Sequence, residues 1–332
     1  MTKSLKNGLL KSSLPLEYEA AAILGRLRFG VTPDFMYRRS GSESGKDSSV
    51  DLHASTYFPF DDPNEITASL DLLVECKYRH PNITWFLLPD PNTDYRAAAH
   101  SPVLKGVDIF SPLRLAEQPL WEFSARLADG WKAVEMDANT GDAHDAELRR
   151  GLYQLMFATP ALLTRNIGHA FGCHPDDNTP FFFAPILLTT APLRVLPRNT
   201  TVSSVRSASD PLSLGRPVPY ARLFVPTGPD LAEHCRAEAV QLDSLRESER
   251  FSQLDQRARA QKHGTLHCPS VGLTMLLEGD VRVAISNPVQ EVIVCTLAAF
   301  RRLLRRLMLA VAESCRGRKP FSEAESPGKG AV

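Results

Sequence analysis

The chain of 332 residues lacks net charge, with 38 Lys and Arg against 38 Asp and Glu. That balance excludes a uniformly polybasic protein but leaves room for a local basic cleft. It lacks paired cysteines: Cys76, Cys173, Cys235, Cys268, Cys295 and Cys315 are scattered and form no C-x-x-C. Free thiols in a reducing cytoplasm are the expectation. The opening MTKSLKNGLLKSS has no apolar stretch long enough for a signal peptide. Long hydrophobic runs are also missing. Val292 to Ala299 is the best candidate, but it meets Arg301, Arg302, Arg305 and Arg306. A membrane span needs about 20 mostly apolar residues, so no membrane partner is expected. No internal repeat is visible. What is present is ordinary globular composition, 43% hydrophobic and 23% charged. A chain of this length can bury a sizeable core, as two domains or one large domain with insertions. Its 25 prolines point to stiff connections.

LPLEYEAAAILGRLRF places Leu16, Ala20, Ile23, Leu24 and Leu27 at three- and four-residue spacing, which predicts an amphipathic helix. Pro15 suits its start and Gly30 its end. VTPDFMYRR is a short strand candidate, followed by the polar loop SGSESGKDSS. SSVDLHASTYF alternates, with Val50, Leu52 and Ala54 against Asp51, His53 and Ser55, as a strand with one wet face does. SLDLLVECKYR predicts another strand, with Leu70, Leu72, Val74 and Cys76 opposite Asp71, Leu73, Glu75 and Lys77.

Residues 89–145 read as an irregular insertion. Residues 147–167 predict a helix that Pro160 kinks or breaks. PFFFAPILLTTAPLRVL predicts one or two buried strands, 197–229 a Pro/Ser loop and 230–262 a polar helix. A strand at 280–286 and a helix over 289–315 follow, and the end reads as a disordered tail. The sum is a mixed sheet flanked by helices.

The chemistry is expected at the polar face of the third strand, where Glu75 and Lys77 stand two residues apart. If the two strands pair as a hairpin, Asp51 lies beside Glu75. Two carboxylates plus the backbone carbonyl of Cys76 make a hard oxygen site suited to Mg²⁺ or Mn²⁺. Such a metal polarises a phosphoryl oxygen and helps ionise water. Lys77 would orient that water and stabilise charge developing on the phosphate. Asp71 shares a face with Glu75, but four residues along a strand is about 13 Å, too far for a shared ion.

These residues resemble the PD-(D/E)XK nuclease superfamily, the restriction-endonuclease-like fold, in its Mrr-like and RecB-like branch. The pattern there is a Glu on the first helix, an Asp on the second strand and Glu-x-Lys on the third. Glu17, Asp51, Glu75 and Lys77 fill those places in order. The resemblance covers roughly residues 16–196, with the motifs confined to 17–79. It implies an α/β fold: a restriction-endonuclease-like mixed β-sheet flanked by helices, with insertions and a C-terminal α/β extension. The implied division is a flexible 1–14, a nuclease core at 15–200 with an insertion at about 89–145, an extension at 201–316 packed on the core, and a tail at 317–332. It implies a Mg²⁺-dependent endonuclease that hydrolyses phosphodiester bonds in DNA, in restriction, defence or repair. Asp51 and Glu75 would bind the metal, Lys77 would assist the attacking water, and Glu17 would act through the metal or its waters. A homodimer would supply two active sites, and a partner protein could supply targeting. The alternative is an inactive domain of the same fold serving as a nucleic-acid or protein interaction module.

The family also often places a Gln or Tyr on the next helix, loosely matched by Tyr153 and Gln154. The literal Pro-Asp pairs, Pro33–Asp34 among them, read as decoys. GSESGKDS departs from a phosphate loop in spacing and in Asp47. His263, His267 and Cys268, with His234 and Cys235, lack standard zinc spacing, and Cys173–His174 is a similarly weak pair. Arg38, Arg39, Lys46, Lys77, Tyr78 and Arg79 are candidates for a DNA-facing rim. Arg301, Arg302, Arg305 and Arg306 form a basic helix face that suits phosphates or a helix C-terminus equally.

Overall fold

The three early strands form an antiparallel meander, as the alternating pattern requires. A computed structural model describes residues 2–39, 47–62, 64–91, 102–107, 113–172, 179–246 and 291–320. Helices α1 (Thr2–Lys11) and α2 (Leu14–Gly25) precede β1 (Gly30–Arg38), β2 (Asp47–Phe58) and β3 (Ala68–Lys77). The start of the chain is therefore helical where a flexible segment was expected. α2 also stops five residues before Gly30, and Arg28 takes a left-handed φ of 64°.

After β4 (Ile83–Leu88), the described residues of 89–145 are more regular than the irregular insertion expected there. They hold β5 (Lys105–Val107), β6 (Leu113–Arg114), α3 (Gln118–Ala125), β7 (Ala128–Gly130), β8 (Lys132–Asp137) and β9 (Ala143–His144). Helix α4 (Ala146–Gly172) runs through Pro160 without a break. Next come β10 (Phe181–Thr189), β11 (Leu193–Val195), α5 (Val202–Ser207), α6 (Pro211–Leu214), β12 (Arg216–Val218), β13 (Tyr220–Phe224) and α7 (Pro229–Arg246). The expected Pro/Ser loop thus contains two short helices and two strands. The strand expected at 280–286 lies outside the described residues. The helix expected over 289–315 divides into β14 (Glu291–Thr296) and α8 (Leu297–Arg316), because Val292, Ile293 and Val294 favour a strand. β15 (Lys319–Pro320) pairs with β6, inside the segment read as a tail.

The main sheet is mixed, in the order β1-β2-β3-β10-β14-β13-β7, with β5 pairing on β10. β10 lies parallel to both β3 and β14. β13 and β14 come from the C-terminal third, so that region completes the main sheet. A second sheet runs β12-β11-β4-β8-β9.

Side-chain alternation assigns the two faces. Leu70, Leu72, Val74 and Cys76 join Phe182, Ile186, Leu188, Ile293 and Cys295 in one core, closed by α2, α3 and α8. Leu73, Phe181, Phe183, Leu187, Val292 and Val294 join the other, closed by α4 and α7. Every residue of β10 is buried, as in a central parallel strand. The face of β3 that carries Glu75 is therefore not wet, because α4 covers it. Among the described residues, no helix is long and apolar enough to cross a membrane.

Candidate active site

The site begins where β2 and β3 part. Their pairing ends at Leu52 opposite Val74. One more step in that register would set Asp51 against Glu75, and there side chains replace the ladder. The Asp51 N–H donates to Glu75 Oε2 at 3.4 Å, and the Cys76 N–H donates to Asp51 Oδ2 at 2.7 Å. N–H and C=O of one strand residue face the same edge, so the Cys76 carbonyl is also presented to the fork.

The divergence has a local cause in β1 and β2. Val31 and Leu52 pack toward the α2 core, whereas Phe35, Tyr37 and Val50 pack toward the α4 core. The change of face falls between the pairs Pro33–Leu52 and Phe35–Val50, at Asp34 and Asp51. Asp34 there adopts a left-handed φ of 52°, a conformation Asp tolerates better than most residues.

Lys77 Nζ donates to Glu75 Oε1 at 2.6 Å and to Gln154 Oε1 at 3.3 Å. Gln154 Nε2 in turn donates to the Ser49 carbonyl at 3.1 Å, tying α4 to β2 across the site. Gly151, one turn earlier on α4, permits this approach. A Cβ there would stand 2.7 Å from Leu187 Cδ1 and 3.0 Å from Lys77 Cε.

Glu75 is fully buried. Burial pushes its carboxyl up to about 7, the Asp51 charge adds to this, and Lys77 opposes it. Burial also raises Asp51, against the Cys76 N–H and the Lys77 charge. Glu17 on α2 is pushed up to about 7, first by burial and then by Asp51 and Asp34. Tyr37 rises to about 12 through burial and the Glu75 charge. The region thus confines Glu17, Asp34, Asp51 and Glu75, with Lys77 and, more weakly, Arg150 opposing them, an arrangement that a positive ion relieves.

Of the four expected residues, Asp51, Glu75 and Lys77 meet. Glu17 shares their electrostatic field, but among the described residues no hydrogen bond or ion pair joins it to them. Among those residues, no three His, Cys, Asp or Glu side chains gather closely enough to hold a metal alone. Two carboxylates and a carbonyl still fit Mg²⁺, which usually keeps several waters or phosphate oxygens.

Asp34 belongs to one of the Pro-Asp pairs that read as decoys, yet it stands opposite Asp51. Only the β1–β2 register reveals this. Gln154 faces the site, while Tyr153 is exposed. Arg79 does not belong to a rim. Its Nε donates to buried Glu135 at 2.8 Å, and Glu135 also accepts the Leu148 N–H at 3.0 Å near the start of α4. Tyr78 is half-buried, with its N–H on Ser13 Oγ. Arg39 lies over the Phe157 ring and pairs with Asp230 at 3.1 Å. Lys46 lies outside the described residues.

Asp71 is engaged by His53 at 2.9 Å and by Asn166 at 3.2 Å, apart from the fork. On α8, Arg302 and Arg306 lie over Tyr220, while Arg301 and Arg305 are exposed. His234 is buried against the Phe157 carbonyl at 2.8 Å and Cys235 is also buried, whereas Cys173, His174, His263, His267 and Cys268 lie outside the described residues. Comparison with known proteins finds no matching family model, curated protein or solved structure.

Proposed function

We propose that this chain is a metal-dependent nuclease that hydrolyses phosphodiester bonds in DNA, with a restriction-endonuclease-like fold. The observation that carries the reading is the convergence of Asp51, Glu75 and Lys77 at the β2–β3 fork. Asp51 and Glu75, with the Cys76 carbonyl, would hold Mg²⁺ or Mn²⁺. When bound, such an ion polarises a phosphoryl oxygen and lowers the pKa of water. Asp51 is fixed for this by the Cys76 N–H, and Glu75 by the Asp51 N–H. Lys77, steered by Gln154, presents an ammonium beside the carboxylates, where it orients the attacking water and offsets charge growing on the phosphate. Glu17 contributes negative potential from α2 and would act through the metal or its waters. A homodimer, a targeting partner and a cytoplasmic setting belong to the same proposal. The setting is supported by Cys76, Cys235 and Cys295, which are buried as free thiols.

The test is incubation of the purified chain with plasmid, linear DNA and RNA, with Mg²⁺ or Mn²⁺ and with chelator. The reading requires metal-dependent cleavage that disappears in Asp51→Ala and Lys77→Ala. Cleavage persisting in both variants refutes the assignment. Tight binding without cleavage, equal in wild type and variants, favours the interaction module.

A further inference from the structure

A second cleft, of about 770 Å³, opens where β11 and β12 approach β7. It shares no residue with the carboxylate site and does not rest on the nuclease reading. Three guanidinium groups line it: Arg194, Arg198 and Arg216. Among the described residues, no carboxylate pairs with any of them. The cleft's own acid, Asp129, is already held by Arg222 Nε at 3.0 Å. Among the described residues, the three positive charges are therefore not offset by a paired carboxylate.

Arg194 is positioned by the fold. Its Nη1 donates to the Leu212 and Gly215 carbonyls, both at 2.7 Å. Gly215 is buried tightly against it, for a Cβ there would stand 2.9 Å from Arg194 Cβ and 3.3 Å from Phe86 Cε1. Two carbonyls thus fix one edge of the guanidinium and leave its other N–H groups free to donate. Arg198 and Arg216 are exposed at the margin. Between them the walls are apolar, from Leu127, Val195, Leu196, Pro197 and Leu214.

We infer that this cleft binds a phosphate-bearing ligand of nucleotide type. Planar guanidinium forks match phosphate oxygens in pairs. A terminal phosphate offers three acceptor oxygens and roughly −1.5 to −2 charge, which suits three arginines better than one carboxylate does. The apolar walls give a base or sugar a surface to pack on. The volume falls in the range of roughly 300–1,000 Å³ usual for small-ligand sites. The phosphate can come from a free nucleotide or from a nucleic-acid backbone.

Calorimetric titration of the full chain with AMP, adenosine, inorganic phosphate and a short single-stranded DNA tests this. AMP is expected to bind wild type and Asp51→Asn alike. It should bind at least about tenfold more weakly to Arg198→Gln/Arg216→Gln, with the thermal midpoint unchanged, since each lost fork removes charge-assisted hydrogen bonds. Adenosine should bind at least about tenfold more weakly than AMP for the same reason. Arg198→Gln alone, in no strand pairing, should shift affinity in the same direction. An arginine-dependent preference for DNA over AMP assigns the phosphate to a backbone, and the reverse assigns it to a free nucleotide. Absence of binding by AMP and DNA to wild type overturns the inference. So does binding that the arginine substitutions leave unchanged, including binding of inorganic phosphate alone.

Discussion

Asp51 and Glu75 stand at the first register position that the β2–β3 ladder leaves unpaired, and each carboxylate accepts a backbone N–H from the other's strand. The strands part there because β1 and β2 exchange faces at Asp34 and Asp51. The same divergence that breaks the ladder opens the space between the carboxylates. Side-chain oxygens satisfy the backbone groups left over, as buried polar groups require.

Lys77 is expected to matter for rate more than for folding. Lys77→Ala should slow single-turnover cleavage of plasmid DNA by at least about 10²-fold, the usual effect of removing a positioned charge donor. Gln154→Ala, which frees Lys77 but keeps its charge, should slow it less. A Gln154→Ala defect equal to that of Lys77→Ala would contradict this division of roles.

Glu75 makes stability depend on pH. Burial pushes its carboxyl up to about 7 from the ordinary 4.5, so the folded chain holds this proton more tightly than the unfolded one. Its contribution is fully present below 4.5 and is lost as pH rises from 4.5 to about 7. The loss is on the order of 3 kcal/mol at most. Urea unfolding should therefore show wild type losing stability relative to Glu75→Gln across that window. Mn²⁺ should narrow the gap at neutral pH. Parallel curves for the two proteins would contradict the burial argument.

Gly151→Ala should run against the usual helix trend. Replacing a mid-helix Gly by Ala ordinarily stabilises by roughly 0.5–1 kcal/mol. Here the added methyl would press on Leu187 and Lys77. Overpacking costs about 1–3 kcal/mol, so a lower thermal midpoint and slower cleavage are expected together. A more stable, fully active variant would show that α4 does not set the Lys77 position.

Arg79→Ala should destabilise the chain instead of weakening nucleic-acid binding through a lost rim contact. The change leaves Glu135 buried without its cation, at a cost of about 3–5 kcal/mol. Urea unfolding measures this, and the salt dependence of DNA binding should keep its slope. An unchanged unfolding midpoint with weaker binding would return Arg79 to the rim.

The part of the fold legible in sequence is the part where alternation and punctuation agree. β2 and β3 were readable because Val50–Thr56 alternates and the Leu70–Cys76 face is wholly apolar. The covering of Glu75 by α4 was not readable, since charged residues opposite an apolar face read as wet. β4, ITWFLL, is a nearly unbroken apolar run, and β9, β11 and β12 of its sheet have only two or three residues each, so the second sheet left no period to detect. β14 merged with α8 in the sequence because no Gly or Pro separates Val292 from Ala299. Within the site, Asp51, Glu75 and Lys77 were legible from local pattern. Asp34 was not, because its place depends on pairing across β1 and β2, and no local spacing encodes that.

The most direct test is Mn²⁺ binding followed by electron paramagnetic resonance, in which bound ion loses the sharp six-line signal of free Mn²⁺. Wild type should deplete that signal saturably, and Asp51→Asn and Glu75→Gln, still folded, should not. Equal depletion by wild type and both variants, or none by wild type, would contradict a cation site at the β2–β3 fork.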